Sequence, residues 1–382
     1  MTPPQLPVLA LVTDSIAPWH KGGKETRTLH YSTELANDFE VHLYTMKWWD
    51  GPTSVQQGDV VVHGICRRWD LYTGQRRSIW QAFAFSVACL RLLRAKFDVV
   101  EVDQIPILPL IAVKAVCVVR RKPLVATWHE TWGRDYWREY LGWLGVGAAF
   151  AERFVARLPD RIIAGSDGAA AILRDLLGTN AHITVGLSGF DPAEITDAPP
   201  SSTSFDLLFV GRLLEHKGVD TLIRALATLS EHGEALSLGI VGHGPAAKPL
   251  NELVNELGIA SCVTFTGELA SHSEVLGQMK SSGVLVFPTR REGFGIVAVE
   301  AMACGLPVIT TNHPDNFARN LVTPGRDGYL CAPDGHDLPE LILRALAQRS
   351  QLSRGAIAKA ANYTWESAVR QCLAAYQFGV SR

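Results

Sequence analysis

The stretch Phe287-Pro288-Thr289-Arg290-Arg291-Glu292-Gly293-Phe294-Gly295-Ile296-Val297-Ala298-Val299-Glu300-Ala301-Met302-Ala303-Cys304-Gly305 reads as a strand end, a glycine turn and a helix. The apolar run stops near Pro288. A helix begins near Gly295 and ends before Gly305, which suits the position just past a helix C-terminus. Strand, turn and helix in this order form the unit of a parallel sheet covered by helices. The turn leaves backbone N–H groups at a helix N-terminus, where phosphate binds readily. Glu292 lies in the turn. Glu300 lies in the helix between apolar neighbours, where a carboxylate is costly unless it meets hydrogen-bond donors. Ribose hydroxyls are suitable donors; a cation inside the domain is the alternative partner.

The same alternation extends in both directions. Strands are expected at Val8–Val12, Glu40–Thr45, Val60–Ile65, Asp98–Val102, Leu124–Trp128 and Arg161–Ala164. A second run is expected at Leu207–Val210, Ser237–Val241, Val263–Thr266, Val284–Phe287, Val308–Thr310 and Gly328–Leu330. Twelve strands in two runs imply two doubly wound α/β domains. Residues 191–205 have loop chemistry and little to bury, so they are expected to link a first domain (1–190) to a second that starts at 206.

A length of 382 residues suits two domains. A formal charge of −2 lacks the basic footprint of a nucleic-acid binder. The seven cysteines form no C-x-x-C pair and no His cluster stands beside them, which argues against a zinc site or a disulfide scaffold. Scattered cysteines fit a reducing compartment. The apolar run Val8–Val12 is short for a signal-peptide core, so a cytoplasmic protein is expected. Two longer apolar stretches, 79–93 and 105–119, fall short of a spanning helix and are expected to be core-facing helices. Residues 1–190 hold 21 Lys+Arg against 18 Asp+Glu, and the remainder 15 against 20. Nine of the ten Trp lie in the first domain. Trp fills cores, stacks on sugars and sits at membrane interfaces, so its clustering leaves these readings open.

A second motif precedes the first. In Phe209-Val210-Gly211-Arg212-Leu213-Leu214-Glu215-His216-Lys217-Gly218 a strand ends at Gly211 and two cations follow. Ligands of open α/β sheets bind beyond the carboxyl ends of strands. Arg212 and Lys217 there suit a diphosphate, or are solvated surface cations. Together with Glu292-x7-Glu300, this motif resembles the GT-B glycosyltransferases, specifically glycosyltransferase family 4. The resemblance covers nearly the whole chain. Pro18-Trp19-His20-Lys21-Gly22-Gly23-Lys24-Glu25 looks like the family's glycine loop. Trp128-His129-Glu130 looks like its His-bearing strand end, and Tyr363-Thr364-Trp365-Glu366 like the start of a C-terminal helix (361–382) that crosses back to the first domain.

The resemblance implies two Rossmann-like domains facing a central cleft. Residues 1–190 would bind the acceptor and 206–360 the nucleotide sugar. Arg212 and Lys217 would neutralise the leaving diphosphate, Glu300 would bind the ribose and Glu292 the donor sugar. Backbone N–H groups of Gly293, Phe294, Gly295 and Ile296 would hold phosphate and sugar. Gly22 and Gly23 would let backbone approach the diphosphate, and His129 would lie near the reacting sugar. The expected activity is retaining, metal-independent transfer of a hexose from a UDP- or GDP-linked donor to a glycan or lipid-linked hydroxyl, as in polysaccharide or glycoconjugate biosynthesis. No cofactor is implied, and the chain contains no D-x-D motif for a metal. Peripheral membrane contact through the first domain is a further expectation, and no nucleic-acid partner is expected. A nucleotide-sugar epimerase of the same fold is the nearest rival, followed by a non-catalytic sugar-binding protein. The chain departs from the family pattern at Thr310-Thr311-Asn312-His313-Pro314-Asp315-Asn316, where a glycine pair is usual. The aromatic, basic segment 132–140 is expected to shape the acceptor pocket or touch a membrane.

Overall fold

A computed structural model describes residues 6–20, 22–73, 76–129, 137–138, 142–178 and 182–378. The chain divides into two compact units, residues 1–187 with 365–382, and residues 188–364.

The first unit is built on β1 (Val8–Val12), α1 (Gly23–Leu35), β2 (Glu40–Lys47), β3 (Ser54–Gln57), β4 (Val60–Arg67), β5 (Tyr72–Thr73), β6 (Arg76–Arg77) and α2 (Ile79–Cys89). It continues through β7 (Val99–Asp103), α3 (Ile107–Arg120), β8 (Leu124–Trp128), α4 (Gly145–Val155), β9 (Arg161–Ala164), α5 (Asp167–Leu177) and β10 (Ile183–Val185). Eight strands form one sheet in the order β10-β9-β8-β7-β1-β2-β4-β3. All pairings in it are parallel except that of the edge strand β3 with β4. Every residue of β1, β7 and β8 is buried, which is why β1 reads as an unbroken apolar run, whereas β7 carries the buried carboxylates Glu101, between its valines, and Asp103, at its end.

The second unit contains α6 (Pro192–Asp197), β11 (Leu207–Val210), α7 (Val219–Glu231), β12 (Leu238–Val241), α8 (Ala247–Glu256), β13 (Val263–Gly267), α9 (His272–Ser281) and β14 (Val284–Phe287). It ends with α10 (Ile296–Ala303), β15 (Val308–Thr311), β16 (Gly328–Cys331), α11 (Leu338–Ala347) and α12 (Arg349–Ala360). Its six-stranded sheet has the order β13-β12-β11-β14-β15-β16 and is parallel throughout. The last helix, α13 (Trp365–Gln377), belongs to the first unit. Trp365 stacks on His30 of α1 at 4.7 Å, and Tyr376 Oη donates to buried Glu101 at 2.6 Å.

All twelve expected strands are present with small shifts at their ends. Four more occur among the described residues. β3 is a polar edge strand, β10 has three residues, and β5 and β6 have two each, so none carries an apolar run. The stretch at 191–205 is not a free linker. Asp191 caps α6 by accepting the Ala193 N–H at 2.8 Å, and Pro192 occupies the first turn. Asp and Pro are good helix-start residues, and this was the signal inside an apparent loop. Beyond α6, Ser201 donates its N–H to Gly277 O of α9 at 3.0 Å, and Gln278 donates to Thr203 O at 3.0 Å. The unit boundary accordingly falls at Leu187/Ser188, before the anticipated seam, and the second at Thr364/Trp365 rather than at 360/361.

Candidate active site

In the second unit β11 and β14 are neighbours, and the strand order runs away from them in opposite directions. This is the switch point where an open α/β sheet leaves a crevice at its carboxyl end. Both sequence motifs arrive there. The loop after β11 brings Arg212, His216 and Lys217; the loop after β14 brings Glu292 to Gly295.

Lys217 Nζ lies 2.7 Å from Glu292 Oε2, and 5.2 Å from the centre of the Phe287 ring. The two loops are tied by backbone as well, with Arg290 N–H donating to His216 O at 2.8 Å. Gly218 has φ +69°, and a Cβ there would stand 2.1 Å from Pro288 O, so only glycine lets these loops approach so closely. Burial, with Lys217 and Arg291 nearby, pushes His216 down to about 4 and keeps it neutral. Arg212 is exposed on the same loop. Arg290 does not pair with Glu292; it lies 3.8 Å from Asp220.

Gly295 caps α10 with φ +95°, and no side chain bonds to the helix N-terminus. The first-turn N–H groups around Gly295 and Ile296 are therefore open to an anion. Gly293 is partly exposed at the turn, whereas Phe294 is buried with its ring 6.0 Å from Tyr363. Phe294 thus anchors the turn by its side chain. Glu300 is buried, and His272 Nε2 of α9 lies 3.3 Å from its Oε1 and 3.7 Å from Glu194 Oε2. The hydrogen bond that His272 donates to Glu300 outweighs burial and raises the pKa of His272. The cation partner of Glu300 is therefore this histidine.

The departure at 310–316 has a structural consequence. Asn316 is fully buried; its Nδ2 donates to Thr310 Oγ1 at 2.9 Å and Thr311 O at 2.8 Å, and its Oδ1 accepts from the Ala318 N–H at 3.2 Å. Glu292 forms a parallel bridge with it, donating to Asp315 O at 3.1 Å and accepting from the Phe317 N–H at 2.9 Å. Glu292 is thus held by the β15 loop on one side and Lys217 on the other.

The first unit has its own cluster at the carboxyl ends of β1, β7 and β8, around its switch point between β1 and β7. His129 Nε2 lies 2.9 Å from Asp103 Oδ1. Lys24 Nζ sits 2.5 Å from Asp14 Oδ1 and 3.7 Å from Asp103 Oδ2, and Arg77 Nη1 lies 2.7 Å from Asp14 Oδ2. Burial works against the Lys24 charge, but Asp14, Asp103 and Glu25 outweigh it and raise its pKa. Burial likewise opposes the Asp103 charge, yet Lys24 and His129 hold it below the usual carboxylate range. Gly22 is the extended N-cap of α1 with no capping side chain, and Gly23 is the exposed first residue of that helix. Asp14, Lys24, Asp103 and Arg77 were not anticipated. The signal was available, since Asp14 and Asp103 end apolar strands as His129 does. Lys21, Glu130 and residues 131–136 and 139–141 lie outside the described residues. Of the aromatic segment, Trp137 is buried and donates to Glu152 at 2.9 Å.

Two family models match in tandem: Glycosyltransferase Family 4 over residues 21–194 and Glycosyl transferases group 1 over residues 192–362. The chain belongs to glycosyltransferase family 4. Like this family's members of known structure, it has the GT-B fold, with two Rossmann-like α/β domains. Sucrose-phosphate synthase from Thermosynechococcus elongatus superposes with a TM-score of 0.77 at 19% identity, over 98% of this chain and 99% of that one. The Anabaena protein Alr3699/HepE in complex with UDP-glucose gives 0.72 at 19% identity, over 97% and 100%. In sequence, a D-inositol 3-phosphate glycosyltransferase of Stackebrandtia nassauensis is 31% identical over 258 residues. That match covers 60% of this chain and 57% of the relative, so the chain spans under two thirds of that protein's length.

Proposed function

We propose that this family 4 member is a retaining glycosyltransferase that moves a hexose from a UDP- or GDP-linked donor to a hydroxyl of a glycan or lipid-linked acceptor without a metal. The observation that carries the reading is the meeting of Arg212, Lys217, Glu292 and an uncapped helix N-terminus at the switch point of the second unit, with Glu300 in the same helix. The UDP-glucose in complex with the Anabaena protein supports a nucleotide-sugar donor of this kind.

Cleaving a sugar–diphosphate bond builds negative charge on the departing phosphate and positive character on the sugar. Arg212 and Lys217 neutralise the first, Arg by a two-pronged hydrogen bond and Lys as a compact charge. The N–H groups at Gly295 and Ile296 add fixed dipoles that need no reorganisation as charge develops. Donor arrival draws Lys217 toward phosphate and leaves Glu292 to accept from sugar hydroxyls. Glu300 accepts from the ribose through its second oxygen while His272 holds the first. On the first unit Gly22 and Gly23 present backbone to the acceptor side, and His129, oriented by Asp103, contacts the reacting sugar. The acceptor is taken by residues 1–190, at the inner face of a membrane when it is lipid-linked.

The test is a metal-free thermal-shift screen with UDP, GDP, ADP and TDP and their sugar conjugates. A ligand that binds the native state alone raises its melting temperature. One nucleotide series should stabilise the protein, and Glu300→Gln should abolish the shift. Stabilisation of Glu300→Gln equal to that of the wild type would remove the ribose assignment.

A further inference from the structure

The helices α2, α3 and α4 leave a large apolar surface uncovered. The connections β4–α2–β7, β7–α3–β8 and β8–α4–β9 all step the same way across the sheet. Right-handed crossovers therefore put the three helices on one face. Their inner residues, among them Phe85, Leu110 and Val155, share a single core cluster. The outer residues are apolar too. On α2, Trp80 is 75% and Phe83 56% exposed; Val119 at the end of α3 is 71% exposed. Beside and on α4, Trp143 is 83%, Phe150 74% and Phe154 54% exposed. Trp80 with Phe83, and Phe150 with Phe154, are spaced to lie together on the outer side of their helices. A folded surface seldom shows so much contiguous apolar area unless something covers it.

The exposed charge on these three helices and in the turns beside them is mostly positive; the carboxylates Asp167 and Asp175 are exposed on α5, which flanks α4 on the same face. The three helices carry a single carboxylate, Glu152, which is buried. Asp98 and Asp160 at their margins are taken up by Lys122 at 2.9 Å and Lys114 at 3.4 Å. Arg94, Lys96, Arg121, Arg153 and Arg157 are exposed. A second copy of this chain docked face to face by a two-fold axis would bring cations against cations. Aromatic tips in a field of arginine and lysine match an anionic lipid surface instead. No helix among the described residues is long and apolar enough to cross a membrane, so the contact is one of lying on the surface.

We propose that the outward face of α2, α3 and α4 docks on an anionic phospholipid bilayer, with the aromatic side chains inserted at headgroup level and the cations on phosphate. This deepens the peripheral contact suggested above by assigning its surface. It does not depend on the donor chemistry. Helices run opposite to the strands they follow, so Trp80 and Trp143 stand at the strand-carboxyl edge, beside His129's end of the sheet.

Flotation with phosphatidylcholine vesicles containing about one-third phosphatidylglycerol tests this, against pure phosphatidylcholine, at low and high salt. Wild-type protein should float with anionic vesicles at low salt. Trp80→Glu/Phe83→Glu/Phe150→Glu and Arg94→Glu/Lys96→Glu/Arg121→Glu should each reduce partitioning roughly tenfold or more. All six side chains are exposed, and an unchanged nucleotide thermal shift in both variants shows that fold and donor site survive. Absence of flotation in the wild type, or wild-type flotation of both variants, overturns the proposal. So does a concentration-dependent dimer on size exclusion that the aromatic variant abolishes, which would make a second copy the occupant. A missing nucleotide shift alongside normal flotation would instead count against the donor reading.

Discussion

Lys217 and Glu292 form an ion pair 2.7 Å apart. If Lys217 serves the diphosphate, Lys217→Ala should weaken binding of the nucleoside diphosphate by about 10–100-fold, the worth of a charged hydrogen bond. The monophosphate should bind almost as before. Titration calorimetry of both ligands decides this, and equal losses would move Lys217 away from the diphosphate. His272 gives a pH signature. Its pKa is raised by Glu300, so the native state holds the proton more tightly than the unfolded chain. The stabilisation is full below the unfolded value of about 6.5 and disappears as pH rises through the raised native value. The melting temperature of His272→Gln should thus fall furthest below that of the wild type at acidic pH, and the gap should narrow above neutrality. A gap independent of pH across a melting series would rule out the charged pair. The positions of Arg212, Lys217 and Glu292 in loops after strands, and of Glu300 in the helix that follows, were legible because strand ends and glycine turns mark them. His272 was not, because it opens a helix on the far side of the sequence motif and only the fold brings it to Glu300.

Elements hold the site by loops as much as by strands. The buried Asn316 closes the loop after β15 and clips it to the backbone of Glu292. Asn316→Ala leaves the Thr311 carbonyl and Ala318 N–H without that partner, at a cost of about 1–3 kcal/mol. It should lower the melting temperature and raise the KM for donor more than it lowers kcat, since Glu292 loses its brace. Unchanged donor KM in steady-state kinetics would confine Asn316 to stability alone. The parallel strands could be found in the sequence because burial on both faces leaves continuous apolar runs, as in β1 and β8. The edge strand β3 could not, since its Ser-Val-Gln-Gln alternates in exposure and pairs on one side only. The helix at Pro192 was hidden for another reason. Its Asp-Pro start has the composition of a turn, and its neighbours, among them His272 of α9 at 3.7 Å from Glu194, are brought to it only by the fold.

Across the whole molecule each unit gathers charge at the carboxyl end of its own sheet, but the two clusters differ in kind. The first is closed upon itself: Asp14, Lys24, Asp103 and His129 are mutually paired. The second leaves Arg212 exposed and a helix N-terminus without a cap. An unsatisfied positive site is where a diphosphate gains most, which supports the proposal that the donor binds at the second unit and the acceptor at the first. The distribution of tryptophan divides in a similar way. Trp128, Trp137 and Trp365 are core, whereas Trp80 and Trp143 are bare, and no composition count separates the two groups. The proposed donor site also sets an expectation for metal dependence. In the proposed donor site, two cations and the dipoles of a helix N-terminus would supply what a divalent ion contributes at a leaving diphosphate. Turnover should therefore be unaffected by excess EDTA, while the Arg212→Ala/Lys217→Ala double variant should lose on the order of 100-fold or more in kcat. Steady-state rates with and without chelator measure both. Loss of turnover in EDTA with recovery on adding Mg²⁺ would mean that the two side chains position the donor and a metal, not they, carries the leaving charge.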